Sequence, residues 1–170
     1  MKRNIGAIWG VGGVILLLTS AIVRLTPIGL QAFTLKLTWY HYMSLALILV
    51  AMAYYEGYRS FQCGFAPRVA ARARYLAQHP TWGKVLAAPL FCMGYFYATR
   101  KRRIVSFSVT GGIIVLIVLV RLLAQPWRGL IDLGVVLGLG WGIIALLAFS
   151  FKAWRHSEFP VSPDVPPLAG

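Results

Sequence analysis

The acidic side chains are too few and too scattered to suggest hydrolytic chemistry. The chain has 17 basic residues but only four acidic ones, Glu56, Asp132, Glu158 and Asp164. Carboxylate catalysis generally pairs two such groups at one site, and two of these four lie in a proline-rich C-terminal stretch. No catalytic residue is predicted, and a non-enzymatic function is favoured over an enzymatic one.

Histidine and cysteine patterns do not indicate a metal or haem site. The histidines His41, His79 and His156 fall near opposite ends of the apolar runs, whereas a bis-histidine haem needs ligands at matching depth. Cys63 and Cys92 form no CxxC pair, and zinc-type spacing is missing. No cofactor is predicted.

Two small polar clusters remain as candidate sites. Asp132 lies just inside an apolar run, one helical turn from Arg128, and an ionisable group at such depth is by default a functional hypothesis. The alternative is a structural ion pair, with Arg128 at i,i+4 or with Arg121 across a short hairpin. Glu56 and Arg59, three residues apart, form either a structural pair or part of a site for a lipid headgroup.

A regular glycine spacing indicates a packing surface. Gly134, Gly138 and Gly142 recur every four residues and therefore share one helix face, which lets a neighbouring backbone approach closely. The partner is either another subunit or the first or third span of the same chain. A glycine-lined pore is a third interpretation, which the lack of a matching polar stripe disfavours.

The elements that must carry these residues are predicted to be membrane-spanning helices. The hydrophobic fraction is 59% and the mean hydropathy +0.72, against roughly 45–50% apolar residues in soluble domains. About 20 apolar residues cross a bilayer, and runs near that length occupy 7–25, 39–56, 104–123 and 130–151. The sequence predicts an all-α integral membrane protein, a bundle of four transmembrane helices. Glycines 6, 10 and 13 give the first span a face that another helix can approach.

A basic segment, 57–103, separates the second and third spans. Within it, 65–78 is typical of a basic amphipathic helix lying at the membrane surface. Cations next to a bilayer attract anionic headgroups, and no nucleic-acid-binding motif accompanies the net charge of +13, so nucleic acid is not a predicted partner. The predicted contacts with anionic lipid are Arg68, Arg72, Arg74, Arg100, Lys101, Arg102 and Arg103.

The charge distribution predicts orientation. With four spans, 13 of the 17 basic residues lie on one side, predicted to be cytoplasmic, and four lie outside: Arg24, Lys36, Arg121 and Arg128. The apolar stretch 82–98 is interrupted by Lys84 and Pro89, and a crossing there would largely destroy the asymmetry. An interfacial or re-entrant hairpin is therefore favoured over a fifth span.

Together these features predict a multi-pass protein of a bacterial-type inner membrane with both termini cytoplasmic. Residues 1–156 form a single membrane domain, and 157–170, with four of the nine prolines, form a flexible tail. The favoured function is an accessory or scaffold subunit that packs on other membrane subunits, or on a second copy, and touches anionic lipid. A small transporter or lipid-handling protein is the alternative, and a membrane enzyme is third.

Overall fold

A computed structural model describes residues 2–155 and 159–165, and within these ranges the regular structure is entirely helical. Three helices are long and apolar enough to cross a membrane: α1 (Lys2–Gln31), α6 (Arg100–Arg121) and α7 (Trp127–Arg155). They correspond to the predicted spans 7–25, 104–123 and 130–151, although α1 continues through Pro27 and α6 ends two residues early, at Arg121. The predicted all-helical membrane fold is thus supported, but the count of four spans is not confirmed.

The predicted second span, 39–56, belongs to a longer helix. Its α-helical part, α2 (Trp39–Met52), is only 14 residues long and continues without a break into a π-helical segment, Ala53–Phe65. That segment leads directly into α3 (Ala66–Gln78). A π-helix of 13 residues is unusual, because π turns normally occur singly, often at functional sites.

Helix α3 is not a surface helix, contrary to the sequence-based prediction for 65–78. It lies between α1 and α7, and its residues Val69 and Leu76 are fully buried. The helix has five alanines, at 66, 70, 71, 73 and 77, and their small side chains let two long helices approach it from different sides. The prediction was wrong because the arginines of α3 suggested a face exposed to solvent and lipid headgroups. The small residues of the helix instead allow α1 and α7 to pack closely against it.

The stretch 82–98 forms a short hairpin against α1. It contains α4 (Trp82–Leu86) and α5 (Ala88–Met93), and helices of five and six residues are far too short to cross a bilayer. A Cβ built on Gly10 of α1 would lie 2.7 Å from Cys92 Sγ, and one built on Gly13 would clash with the Pro89 ring. Helix α5 therefore packs against the predicted glycine face of α1. Neither α4 nor α5 is long enough to form the alternative fifth span.

Helix α7 is the centre of the bundle, and α6 stands away from it. Helix α7 contacts α1, α2, the π-helical segment and α3, and a core of buried residues such as Val14, Phe91 and Leu146 fills the space between α1, α3, α5 and α7. Helix α6 meets the hairpin near its start and α7 near its end, while all nine residues of 111–119 are exposed. We call the end of the bundle where α3 ends and α6 begins the basic end.

The tail lies partly outside the described residues, and its described part is packed. Residues 156–158 and 166–170 are not described, so Glu158 and His156 are not placed. The Thr99 amide donates to Asp164 O at 2.9 Å, and Val165 packs on the core. The predicted flexible tail therefore does not apply to 163–165.

Candidate basic-end site

The basic end is organised around Arg72, whose side chain is 1% exposed. Its Nε donates to Phe91 O at 2.6 Å, and its Nη2 donates to Phe96 O and Tyr97 O at 2.9 and 3.0 Å. Its Nη1 donates to Pro163 O at 2.7 Å. A single guanidinium therefore ties α3 to the end of α5, to the loop after it and to the C-terminal segment.

The Arg72 site is structural and does not face lipid. The guanidinium carbon lies 4.3 Å from the centre of the Phe91 ring, a cation–π contact, and backbone carbonyls satisfy the donors. Burial lowers the pKa of Arg72 to about 10, so the group stays charged at neutral pH. The predicted contact of Arg72 with anionic lipid is incompatible with this burial.

Arg68, one turn before Arg72, lines a cavity of about 450 Å³. Its Nε donates to Gly64 O at 2.6 Å, which folds the side chain back along the π-helical segment. Tyr58 and Gln62 add polar atoms, and Phe149 of α7 adds an apolar wall. Gln62 Oε1 also accepts from the Trp141 indole at 2.8 Å, which fixes this wall to α7. The cavity combines a cation with hydrogen-bonding and apolar groups.

The remaining predicted lipid contacts divide by exposure. Arg100, Lys101 and Arg103 in the first turn of α6 are exposed, and Arg74 is half-buried. Arg102 differs from them, because it is 8% exposed and lies over Gly94. Gly94 ends α5 at φ +87°, a left-handed conformation that favours glycine, and a Cβ there would also lie 3.1 Å from Arg102 Nε.

The α7 glycine stripe packs inside the chain, on a partner that the sequence did not suggest. A Cβ on Gly134 would lie 2.6 Å from Ile48, one on Gly138 would lie 2.6 Å from Glu56 Oε2, and one on Gly142 would lie 2.7 Å from the Phe61 ring. All three neighbours belong to α2 and the π-helical segment. The stripe therefore packs against the helix formed by α2 and the π-helical segment, which we call the second helix. The sequence had suggested the first or third span or another subunit, and the second helix leaves the stripe covered.

Glu56 and Arg59 do not form the predicted pair. Glu56 is half-buried against Gly138, Arg59 is exposed, and within the described ranges no basic nitrogen lies within 4.0 Å of the Glu56 carboxylate. The wider turn of the π-helix changes the spacing that places i and i+3 side chains on one α-helical face.

Asp132 lies at the opposite end of the bundle, next to Arg128. Arg128 Nε is 3.8 Å from Asp132 Oδ2, the i,i+4 arrangement considered from the sequence. Arg121 is exposed and does not join them within 4.0 Å in the described part of the chain. Asp132 is 5% exposed, and the structure does not bring it near the basic end.

Comparisons with protein-family models, with curated proteins and with solved structures gave no match. Function must therefore be argued from the geometry of this chain.

Sequence reasoning missed three features of the basic end: the burial of Arg72, the burial of Arg102, and the docking of 163–165. The alanines on either side of Arg72 were a usable signal, because a helix face of alanines favours close helix packing over a lipid surface. No local signal marks the tail contact, since it depends on a carbonyl 91 residues away from Arg72.

Proposed function

We propose that this protein is a non-enzymatic accessory or scaffold subunit of a membrane assembly, and that α6 is the helix that contacts a partner subunit. The exposure of α6 carries this proposal. Only 11% of its most apolar window is buried within the chain, against 39% for the corresponding window of α7. The α7 glycine stripe no longer supports the proposal, because the second helix covers it.

Two properties of α6 support a protein partner. Its residues 111–119 are all exposed, so the second half of the helix up to Leu119 is uncovered, while its first half is held to the hairpin through Ser106, Phe107 and Thr110. Gly111 and Gly112 have no atom within 4 Å of a built Cβ, which leaves a notch where another backbone can approach. Van der Waals packing of this kind is a main source of helix association in lipid.

The membrane setting is part of the same proposal. We place the basic end at the cytoplasmic face of a bacterial-type inner membrane, with the exposed cations of α6 near anionic lipid. Reporter fusions test the orientation. A fusion after Arg103 should report cytoplasm, and one after Gln125 should report the outside. The reverse result would refute the orientation.

The decisive experiment for the subunit proposal is a pair of α6 and α7 variants. The tagged full-length protein is purified in mild detergent, and co-purifying membrane proteins are identified. Replacing both Gly111 and Gly112 by Leu should reduce partner recovery without lowering thermal stability, since both positions are open. Gly140→Leu is the matched control, because Gly140 of α7 is equally open.

Three results would count against the proposal. Wild-type protein that recovers no stoichiometric partner or second copy would refute it. Equal losses in the α6 variant and in Gly140→Leu would show that bulk alone disturbs assembly. Unchanged partner recovery with the α6 variant would move the interface elsewhere and remove the observation on which the proposal depends.

A small lipid-handling protein is the second candidate, and the cavity beside Arg68 favours it. Its volume of about 450 Å³ falls within the range of small-molecule sites, and it joins polar and apolar walls as a lipid headgroup region requires. Reconstituted protein should then accelerate lipid transfer or flipping in vesicles, and Arg68→Gln should slow it. Equal rates in protein-free vesicles would exclude this candidate.

A further inference from the structure

The Glu56 carboxyl lies beside the middle of α7. A Cβ built on Gly138 would lie 2.6 Å from Glu56 Oε2, so the carboxyl fills the space that this glycine leaves, which we call the Gly138 notch. Gly138 is three residues, or about 5 Å, from Trp141, the midpoint of α7. The hydrocarbon core of a bilayer is about 30 Å thick, so an α7 that crosses it holds the Glu56 carboxyl well inside.

Apolar contacts lie on both sides of this carboxyl along the helix pair. One turn before the Gly138 notch, Gly134 meets Ile48. One turn after it, Gly142 meets the ring of Phe61. The carboxyl is therefore held between two apolar contacts, away from the helix ends where lipid headgroups and water are found.

The carboxyl also has no polar partner. Among the residues that the structure describes, no basic nitrogen lies within 4.0 Å of it, and no donor forms a hydrogen bond with it. The indole of Trp141 has a single N–H, which it donates to Gln62 Oε1. An ionised carboxylate without a partner is very unfavourable in an apolar medium, whereas a protonated one is tolerated far better.

Ionisable groups on the neighbouring elements do not compensate the carboxyl either. The π-helical segment packs on α2, α3 and α7. The ionisable residue of α7 nearest to the notch is Asp132, six residues earlier, and it has its own arginine partner. His41 of α2 accepts from a backbone amide at the start of that helix, and Arg68 and Arg72 of α3 donate to backbone carbonyls. Within the π-helical segment, the nearest ionisable side chains are exposed: Tyr54, Tyr55, Tyr58 and Arg59.

We propose that Glu56 is a proton-binding site within the membrane, which holds one proton while its carboxyl lies in the Gly138 notch. Ionisable side chains inside membrane segments are rare and are typically kept for function, and π-helical turns are frequent at functional sites. Glu56 is half-buried, so part of its surface stays open beside the helix pair, and the proton can exchange there. Loss of the proton leaves a carboxylate that must turn out of the notch. The site is independent of the proposed partner surface on α6.

Reaction with dicyclohexylcarbodiimide tests the site in full-length protein reconstituted into vesicles. The reagent is apolar and reacts with protonated carboxyls: the acid oxygen bonds to the central carbon, and its proton moves to a nitrogen. Peptide mass spectrometry should find the adduct on Glu56 at neutral pH. The labelling rate should fall as the pH is raised to about 9, approaching about tenfold per pH unit once the site ionises. Asp132, which is 5% exposed and paired with Arg128, should stay unlabelled.

The pH dependence of stability is an independent measurement. The unfolded chain releases the Glu56 proton as an ordinary carboxyl does, whereas the packed chain keeps it. The thermal midpoint of the wild-type protein should therefore fall as the pH rises from about 5 to about 9. Glu56→Gln keeps the shape of the neutral acid and cannot titrate, so it should lack this contribution. Asp132→Asn makes the same change at the paired acid and should keep the wild-type dependence.

Four results would overturn the site. One is the lack of labelling of Glu56 in folded wild-type protein at every pH. Another is labelling of Glu56 and Asp132 at equal rates, which would show that the reagent marks any carboxyl in the membrane. Protection of Glu56 by sodium, against potassium at the same pH and ionic strength, would identify a metal ion as the ligand instead. The last is a Glu56→Gln variant with the wild-type pH dependence of stability.

Discussion

Helices α6 and α7 have nearly the same hydropathy, yet they have opposite roles in the bundle. Their most apolar windows have mean hydropathies of 2.3 and 2.2. Both contain glycines, but those of α7 at 134, 138 and 142 each meet the second helix, whereas Gly111 and Gly112 of α6 meet nothing. Hydropathy therefore identifies a membrane helix, and the spacing of its small residues indicates whether its own chain covers it.

The contrast has a geometric cause. A repeat of four keeps glycines on one face of an α-helix, so the stripe forms a groove along the helix that a second helix can fill. Two adjacent glycines point about 100° apart and form no groove along the axis. The helix that has a groove became the centre of the bundle, and the other was left with its surface free.

The first prediction tests the packing of the hairpin on α1, and it has the largest expected effect. Burial raises the pKa of Cys92 to about 12, so near pH 8 its reactive thiolate is much rarer than that of an exposed thiol. Cys63 is exposed. In native protein a maleimide should label Cys63 rapidly and leave Cys92 unmodified.

The Cys63→Ser variant isolates the buried thiol. It should incorporate label only after denaturation, as measured by mass spectrometry. Rapid labelling of native Cys63→Ser would show that α5 does not pack on Gly10. The hairpin would then not belong to the packed core around α7.

The second prediction concerns Arg72, which fixes the basic end of the packed region. Arg72→Met should cost roughly 3–5 kcal/mol, the range for breaking a buried charged network, because several carbonyls lose their donor. Denaturant or thermal unfolding in detergent measures the loss. Arg100→Met removes the same charge from an exposed position and should leave stability unchanged or slightly higher. Similar stability of the two variants would refute the structural role of Arg72.

Features that depend on local composition could be predicted from the sequence. The three membrane-length helices follow from apolar runs, and the charge asymmetry, together with the interruption by Lys84 and Pro89, favoured a hairpin over a fifth span at 82–98, where the helices are indeed short. The length of a helix and the points that interrupt it depend mainly on nearby residues. The glycine spacing in α7 likewise predicted a close contact, though not which helix would make it.

Other features depend on contacts between distant segments. Arg72 looked like a lipid-facing cation because its carbonyl partners lie 19 to 91 residues further along the chain. Nothing local indicates that the helix from Trp39 continues to Gln78 through a π-helical segment, since basic and aromatic residues there are equally typical of a membrane surface. The average hydropathy or charge of a segment does not determine which distant segments it will contact.

The third prediction directly tests the difference between covered and open glycines. Gly142→Leu should destabilise the protein by about 1–3 kcal/mol, because its Cβ would lie 2.7 Å from the rigid Phe61 ring. Gly140→Leu, two residues earlier on the same helix, has open space and should change stability by less than about 0.5 kcal/mol. Thermal unfolding of both in one detergent measures the difference. Equal stability would place the second helix elsewhere.

The last and smallest prediction concerns the ion pair at the end where α6 and α7 meet. Arg128 Nε and Asp132 Oδ2 are 3.8 Å apart, and neither atom forms a hydrogen bond in the described structure, so the pair is poorly directed. Because Arg128 is 30% exposed and can be hydrated alone, Asp132→Asn should cost less than about 1 kcal/mol.

A double-mutant cycle with Arg128→Gln measures the pair itself, and the coupling energy should be at most about 0.5 kcal/mol. Partner recovery should stay at the wild-type level in Asp132→Asn, since the open surface lies on α6. If recovery fell while stability did not, Asp132 would be a functional group, and the partner surface would extend from α6 onto the first turns of α7. That result would remove the sharp division between one covered helix and one open helix, because α7 would then contribute to both.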